Sequence, residues 1–331
     1  MTLWDQHSCL PLLPTADIAE LARYPLGSYV SVNVGYSPHS RADATALAAD
    51  FRRKALADGR FRMVDDDLHG DDLHDDDLHD ADAGAIDASA IVLAFDLEDS
   101  GPLEGDLDNV AYFYALGVRS MLASYNFSNA AGCGCLDVED TGLTGYGHDL
   151  VAEMNRVGML VDGSHCSIRT GLGMASATLA PMIYSHSNFA ALWQHPRNIT
   201  DEQARACAST GGVVGINGVG IFLGVNGPAD AEARVRAMAD HIEYGVNLLG
   251  IDHIGIGSDY SFDHEDFNAE LVAHPEAFSE QYTRWGQLQW VPPEDIVTLP
   301  SVLRERGFTD GAIAAVCGGN FRRISALATP R

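Results

Sequence analysis

The sequence predicts a closed (β/α)8 barrel, built as one domain over residues 1–331. Two observations carry the fold. Eight short, β-branched runs alternate with stretches of helical periodicity, the pattern of parallel strands joined by crossover helices. No Gly-x-Gly-x-x-Gly opens a helix after the first run and no Gly-x-x-x-x-Gly-Lys-Ser/Thr is present, so neither the dinucleotide nor the phosphate-loop version of an open sheet is supported. A third observation concerns function: most of the runs end in a residue able to bind metal or move a proton, as expected where strand ends converge on a barrel mouth.

In chain order, the strand candidates are Leu3–His7, Ser28–Gly35, Ala90–Glu98, Val118–Asn126, Met159–His165, Pro181–Ser187, Gly212–Ile221 and His253–Tyr260. Asp17–Tyr24 and Ala44–Leu56 read as helices after the first two, Leu107–Leu116 follows the third, and His148–Val157 precedes the fifth. Ala229–Leu249 has long helical periodicity and leads into the eighth strand, and Asp310–Cys317 leads to a final helix.

Composition narrows the partners. Of 331 residues, 46% are apolar and 20% charged, a globular balance. Asp plus Glu number 47 against 20 Lys plus Arg, a net charge of −27, which disfavours nucleic acid and anionic membrane as partners. No apolar run approaches the roughly 18–20 residues of a membrane span, and no basic n-region opens the chain, so a cytoplasmic protein is expected. A small molecule is the expected partner, with a homodimer left open. The six cysteines are few and scattered, which suits reduced thiols or a single metal contact better than a disulfide framework.

One low-complexity insertion stands out at about residues 65–82. Asp-Asp-Leu-His occurs three times there, ending at His69, His74 and His79, and the segment holds ten of the 47 acids. Such a run repels itself and is expected to stay solvated; loose binding of divalent ions is the alternative reading.

His165 and His186 close successive strands 21 residues apart. With Glu98 ending an almost wholly apolar run, they form the ligand set of a catalytic zinc, although a strand-end histidine is also a common hydrogen-bonded structural residue. A carboxylate ending a buried strand must be paired or bound, so Glu98 either meets metal or pairs with an arginine such as Arg119; Asp96 and Asp99 flank it as alternative acids. Asp259 follows Ile254-Gly255-Ile256-Gly257-Ser258 and is expected to carry a proton or support a ligand.

Several segments together resemble the renal or membrane dipeptidase family of metallopeptidases (peptidase family M19). These are Tyr114-Ala115-Leu116-Gly117-Val118-Arg119, Gly142-Leu143-Thr144-Gly145-Tyr146-Gly147, the run from Glu153 to Met159-Leu160-Val161-Asp162-Gly163-Ser164-His165, Tyr184-Ser185-His186-Ser187-Asn188, His195-Pro196-Arg197-Asn198-Ile199 with Asp201-Glu202, and Gly257-Ser258-Asp259. The resemblance runs from about residue 4 to the end and leaves the Asp-rich segment without a counterpart. It implies an amidohydrolase-like, metal-dependent (β/α)8 TIM barrel that hydrolyses dipeptides with two zinc ions. Glu98 would bridge the metals, His165 and His186 would complete one site, and His7 would serve the other. Arg197 would hold the substrate carboxylate and Asp259 would handle the proton.

Three positions depart from that family's pattern. Its first-strand Asp-x-His-x-Asp is Asp5-Gln6-His7-Ser8-Cys9 here, the substrate-contacting His of the fourth strand is Tyr125, and Asp99-Ser100 replaces Gly-Gly after Glu98. Cys9 either replaces the carboxylate as a thiolate ligand or is a small buried residue beside a weak or missing first metal. Tyr125 can donate to a developing oxyanion but carries no positive charge near neutral pH.

Among the other polar residues, Arg197 is expected to grip carboxylate in bidentate fashion, against a structural role in its loop. Asn217 either reaches the pocket as a substrate contact or satisfies backbone groups. His195 reads as structural, Cys133 and Cys135 as free thiols of a surface loop near the mouth, and Cys166 as turned away from His165. The function expected is zinc-dependent cleavage of a dipeptide or dipeptide-like amide, with Asp259 and Tyr125 catalytic and one or two ions per chain. A mononuclear hydrolase or lyase on another small molecule, and an inactive barrel used for binding, are the alternatives.

Overall fold

The computed structural model describes residues 3–64 and 89–328. The Asp-Asp-Leu-His repeats and their three histidines therefore lie outside the described residues.

Ten strands form one all-parallel sheet: β1 (Trp4–Cys9), β2 (Tyr29–Asn33), β3 (Phe61–Met63), β4 (Ile91–Leu97), β5 (Val118–Leu122), β6 (Leu160–Asp162), β7 (Ile183–Tyr184), β8 (Val213–Ile216), β9 (Ile254–Ile256) and β10 (Tyr260–Ser261). The order β1-β2-β4-β5-β6-β7-β8-β9 closes where Asp5 of β1 pairs with Ile256 of β9, giving the eight-stranded barrel. β4 shows why the apolar runs are continuous: all seven of its residues are buried, because parallel strands are covered on both faces.

Helices pack outside the barrel: α1 (Arg41–Ala57), α2 (Asp108–Ala115), α3 (Gly145–Val157), α4 (Ile168–Ala177), α5 (Asp201–Ser209), α6 (Gly220–Leu223) and α7 (Ala231–Leu249). Their starts are chemically marked. Ser40 and Asp43 form a reciprocal capping box on α1, and Thr200 with Gln203 does the same on α5. Thr144 caps α3 by accepting from Gly147 N–H, and α3 stops at Gly158, whose left-handed φ of 81° suits glycine.

Five expectations are corrected in detail. The predicted helix at 17–24 is a 3-10 helix over Ile18–Arg23. The predicted fifth strand stops at Asp162, because His165 takes a left-handed φ of 63°. The predicted eighth strand breaks after Ile256 and resumes at Tyr260, because Asp259 has φ 55°. β3 and helices α4 and α5 were not individually expected. Cys133 is buried and Cys135 half-buried rather than surface thiols; all six cysteines are free.

The mouth of the barrel is covered by a segment with no assigned element in the sequence reading. It contains α8 (His264–Ala273) and α9 (Glu280–Thr283) and continues to Val291. Its Phe278, Tyr282, Leu288 and Trp290 pack with Tyr36, Tyr125, Phe222 and Tyr260 into an aromatic cluster separate from the main core. No helix of the described residues is long and apolar enough to cross a membrane.

Candidate metal centre

Six of the expected residues meet at the C-terminal ends of the barrel strands. His7 and Cys9 come from β1, Glu98 from the end of β4, His165 and His186 from the turns after β6 and β7, and Asp259 from the turn between β9 and β10. Glycine lets the strands converge: a Cβ on Gly257 would lie 1.7 Å from Ser185 O.

Glu98 Oε1 lies 3.4 Å from His7 Nε2, 3.3 Å from His165 Nε2 and 3.4 Å from His186 Nε2. His165 Nε2 and His186 Nε2 are 3.0 Å apart. Ligands held at 2.0–2.1 Å around a tetrahedral ion are separated by about 3.3 Å, so the spacing is that of a coordination polyhedron. The other ring nitrogens are turned to partners. His7 Nδ1 meets Asp96 Oδ1 at 3.0 Å, His165 Nδ1 meets Asn126 Oδ1 at 2.8 Å, and His186 Nδ1 meets Ser185 Oγ at 2.7 Å. A carboxylate only accepts, so the Nδ1 side of His7 keeps a proton, and loss of the other proton would leave a lone pair on Nε2 facing inward, the usual outer support of a metal-binding imidazole. Asp96 is itself held by Ser31 Oγ at 2.6 Å, and Glu98 Oε2 accepts a short hydrogen bond from Asn33 Nδ2.

A second group shares His7. Cys9 Sγ is 3.4 Å from His7 Nε2 and 3.9 Å from Asp259 Oδ1, and His7 Nε2 is 3.7 Å from that same oxygen. The thiol thus stands inside the cluster rather than in the apolar core. Two triads, His7–Cys9–Asp259 and His7–Glu98–His186, each bring their ligand atoms within 4.8 Å of one another. The donor set fits one or two borderline-soft divalent ions.

The electrostatics agree with this chemistry. Burial pushes His165 down to about 3, helped by the Arg197 charge, and burial with the neighbouring His7 pushes His186 well below its ordinary value. Both rings are neutral and hold lone pairs. Burial alone would raise Glu98, but the charge of His7, with His165 and His186 beside it, holds it well below the ordinary carboxylate range. His7 differs: burial would lower it, yet Asp96, Glu98 and Cys9 hold it well above the usual imidazole value, so it must release its Nε2 proton to bind a metal. Asp259 is raised to about 6, chiefly by burial, with Glu98 adding to the rise. Burial lifts the Cys9 thiol to about 12.

Around the cluster, Tyr125 stacks on the His165 ring with centroids 4.1 Å apart. It lines a tight cavity of about 20 Å³ with Cys9, Glu98, His165, Asp259 and Trp290. Arg197 is 2% exposed; its Nη2 donates to His186 O at 3.1 Å, its Nε has no partner, and among the described residues it forms no ion pair. It lines a wider cavity of about 570 Å³, and His165 borders both spaces. Asn217 does not line either cavity: its Nδ2 donates to Asp259 Oδ2 at 2.8 Å and its Oδ1 accepts from Val219 N–H, so it holds the acid rather than the pocket.

The remaining flanking residues are structural. Asp99 accepts from Tyr125 N–H, Gly101 N–H and Asn129, and fixes the loop after β4. Arg119 donates to Tyr114 O, leaving Glu98 to the imidazoles. His195 Nδ1 accepts from Arg197 N–H. Cys166 turns to Ser124 Oγ at 3.6 Å. Asn126 and Asn33 were not expected here; Asn33 ends β2 and Asn126 lies in the loop after β5, on the same side of the barrel as the other cluster residues, and that position was the available signal.

A family model described as membrane dipeptidase (peptidase family M19) matches residues 74–271, more than half of the chain. The chain belongs to the membrane dipeptidase family. An uncharacterized protein from the pqqA 5′ region of Klebsiella pneumoniae is 35% identical over 176 residues, covering 51% of this chain and 65% of that protein. A Schizosaccharomyces pombe protein described as an uncharacterized dipeptidase is 35% identical over 174 residues, covering 51% of this chain and 41% of its own length. The matched stretch thus spans less than two thirds of either relative. Among solved structures, an amidohydrolase from Pseudomonas aeruginosa superposes with TM-score 0.83 at 23% identity, covering 100% of this chain and 97% of that one. A Rhodobacter sphaeroides metallo peptidase bearing a phosphinate mimic of L-Ala-D-Ala superposes with TM-score 0.73 at 20% identity, with 99% of each chain covered. In this M19 chain the barrel is therefore shared with both.

Proposed function

We propose that the chain is a zinc-dependent hydrolase of dipeptides or small dipeptide-like amides. The observation that carries the reading is the set of 3.3–3.4 Å separations from Glu98 Oε1 to three imidazole Nε2 atoms. His165, His186 and Glu98 would hold one ion, and His7, Cys9 and Glu98 another. A divalent ion so held supplies Lewis acidity, lowering the pKa of a water toward about 7 and polarising a carbonyl.

The chain's own groups complete the chemistry. Asp259, raised to about 6 and fixed by Asn217, is matched to take a proton from water near neutral pH and return it to the leaving amine. Tyr125, packed flat on His165, directs a hydroxyl into the tight cavity as a donor to a developing oxyanion. Arg197, buried without a carboxylate of its own, is suited to grip the terminal carboxylate of the substrate. Its charge also offsets the acidic field of a chain with net charge −27.

The test is hydrolysis of a panel of L,L- and L,D-dipeptides before and after EDTA. Chelation should abolish turnover and zinc should restore it; chelator-resistant hydrolysis would refute the reading. A second reading, a mononuclear enzyme, is favoured by the Cys9 thiol raised to about 12, since that ligand must lose its proton to bind. Metal analysis separates the two: near two ions per chain supports the first and near one the second.

A further inference from the structure

We propose that Asn126 is a positioning residue that makes metal capture by His165 and closure of the segment over the barrel mouth a single event. The inference rests on the metal reading of His165 given above.

Asn126 is fully buried and reaches both elements. Its Nδ2 donates to Ala277 O, between α8 and α9, at 3.0 Å. Its Oδ1 accepts from Tyr282 Oη of α9 at 2.9 Å and faces His165 Nδ1 at 2.8 Å. A backbone carbonyl can only accept, so Ala277 dictates which end of the amide faces it. The amide oxygen is then left for His165, and the ring must carry its proton on Nδ1. That leaves the lone pair on Nε2, the atom 3.3 Å from Glu98 Oε1. Were the segment to lift away, the amide would be free to reverse. Its N–H would then point at Nδ1, and the ring proton would move to Nε2, where it blocks a metal. The same amide therefore reads the position of the cover and sets the tautomer of a ligand.

The backbone around this link is built closely. Cys135 N–H donates to His165 O at 2.7 Å, Leu136 N–H donates to Asn126 O at 2.9 Å, and a Cβ on Gly134 would lie 2.2 Å from the Asn126 carbonyl carbon. Neither His165 nor Asn126 has room to compensate by shifting as a unit.

The test uses the full chain, zinc alone, and two readouts: affinity by competition with a chromophoric chelator, and hydrogen–deuterium exchange of residues 264–291. In the wild type, zinc should slow exchange of that segment. Asn126→Ala should lower zinc affinity about 10–100-fold, the usual effect of losing an outer support, and saturating zinc should no longer slow the exchange. Asn126→Asp separates the two halves. It still accepts from His165 Nδ1, so zinc affinity should stay within about tenfold of wild type. It cannot donate to Ala277, so zinc protection of 264–291 should be lost. If Asn126→Ala does not fold, the Asn126→Asp exchange result decides. Equal zinc protection in wild type and Asn126→Asp, or unchanged affinity in a folded Asn126→Ala, overturns the link alone. Zinc affinity that His165→Ala leaves unchanged overturns the metal reading and the link together.

Discussion

Cys9 stands where the resemblance implies a carboxylate ligand, and its surroundings decide its role. A small buried cysteine retained for packing would face apolar neighbours; Cys9 Sγ faces His7 Nε2 at 3.4 Å and Asp259 Oδ1 at 3.9 Å. Cobalt loaded into the metal-free protein should therefore give a thiolate-to-metal charge-transfer band that Cys9→Ala lacks, with the bound ions falling by one per chain. A wild-type protein that binds cobalt without that band would place the thiol outside the metal's reach. At Tyr125, the stacked ring and the hydroxyl can be separated. Tyr125→Phe keeps the stacking on His165 and should lower kcat by about 10²-fold, the cost of one oxyanion donor, with KM and melting temperature little changed. An unchanged kcat would assign Tyr125 to packing. Most ligands were legible because a charged or imidazole group at the end of an apolar run has few other reasons to be there. Asn217 was equally legible in position but not in role, since an amide at a strand end serves a neighbouring acid as readily as a ligand.

At the scale of elements, the loops after β6 and β7 hold two of the imidazoles, and both are fixed by long-range contacts. The loop after β7 is anchored by Phe189 N–H, which donates to His241 Nδ1 of α7 at 3.1 Å. That bond requires a neutral ring, and burial keeps His241 down at about 4. Because its value in the fold lies below the unfolded value near 6.5, the unfolded chain binds the extra proton first. The stabilisation is complete above pH 6.5 and is lost as pH falls toward 4, by up to about 3 kcal/mol. His241→Asn keeps an acceptor without the titration, so its denaturant midpoint should fall less than that of wild type between pH 7 and pH 4; parallel curves would remove His241 from this role. The strands and most helices around the barrel were readable from periodicity. Helices α4 and α5 carried their signals in caps instead, Ser167 before α4 and the Thr200–Gln203 box before α5. The positive φ values at His165 and Asp259 were not readable at all, because that conformation is imposed on non-glycine residues by the surrounding packing.

Across the whole molecule, the barrel gathers groups as distant in sequence as His7 and Asp259, and the 264–291 segment covers them. Burial is why His165, His186 and Asp259 have displaced titration, while Glu98 is held low by His7 against its burial, and a cation would offset the cost of burying these groups together. Zinc at 100 times its Kd should stabilise the fold by about 2.7 kcal/mol, read as a rise in melting temperature that EDTA reverses. No zinc-dependent shift would mean that the cluster is stable without an ion. The cover itself was not legible in the sequence because, although Phe278 and Tyr282 stand at a helical i, i+4 spacing, the helix α9 that holds Tyr282 is four residues long and Trp290 lies outside any helix, too little to show a period.

The most direct measurement is a zinc-edge anomalous difference map from crystals of the zinc-loaded protein. A peak is expected about 2.0–2.1 Å from His165 Nε2 and His186 Nε2 with Glu98 in contact, and a second peak reaching His7 and Cys9 if the centre is binuclear. A map with zinc bound elsewhere and none among Glu98, His165 and His186 would contradict the metal reading.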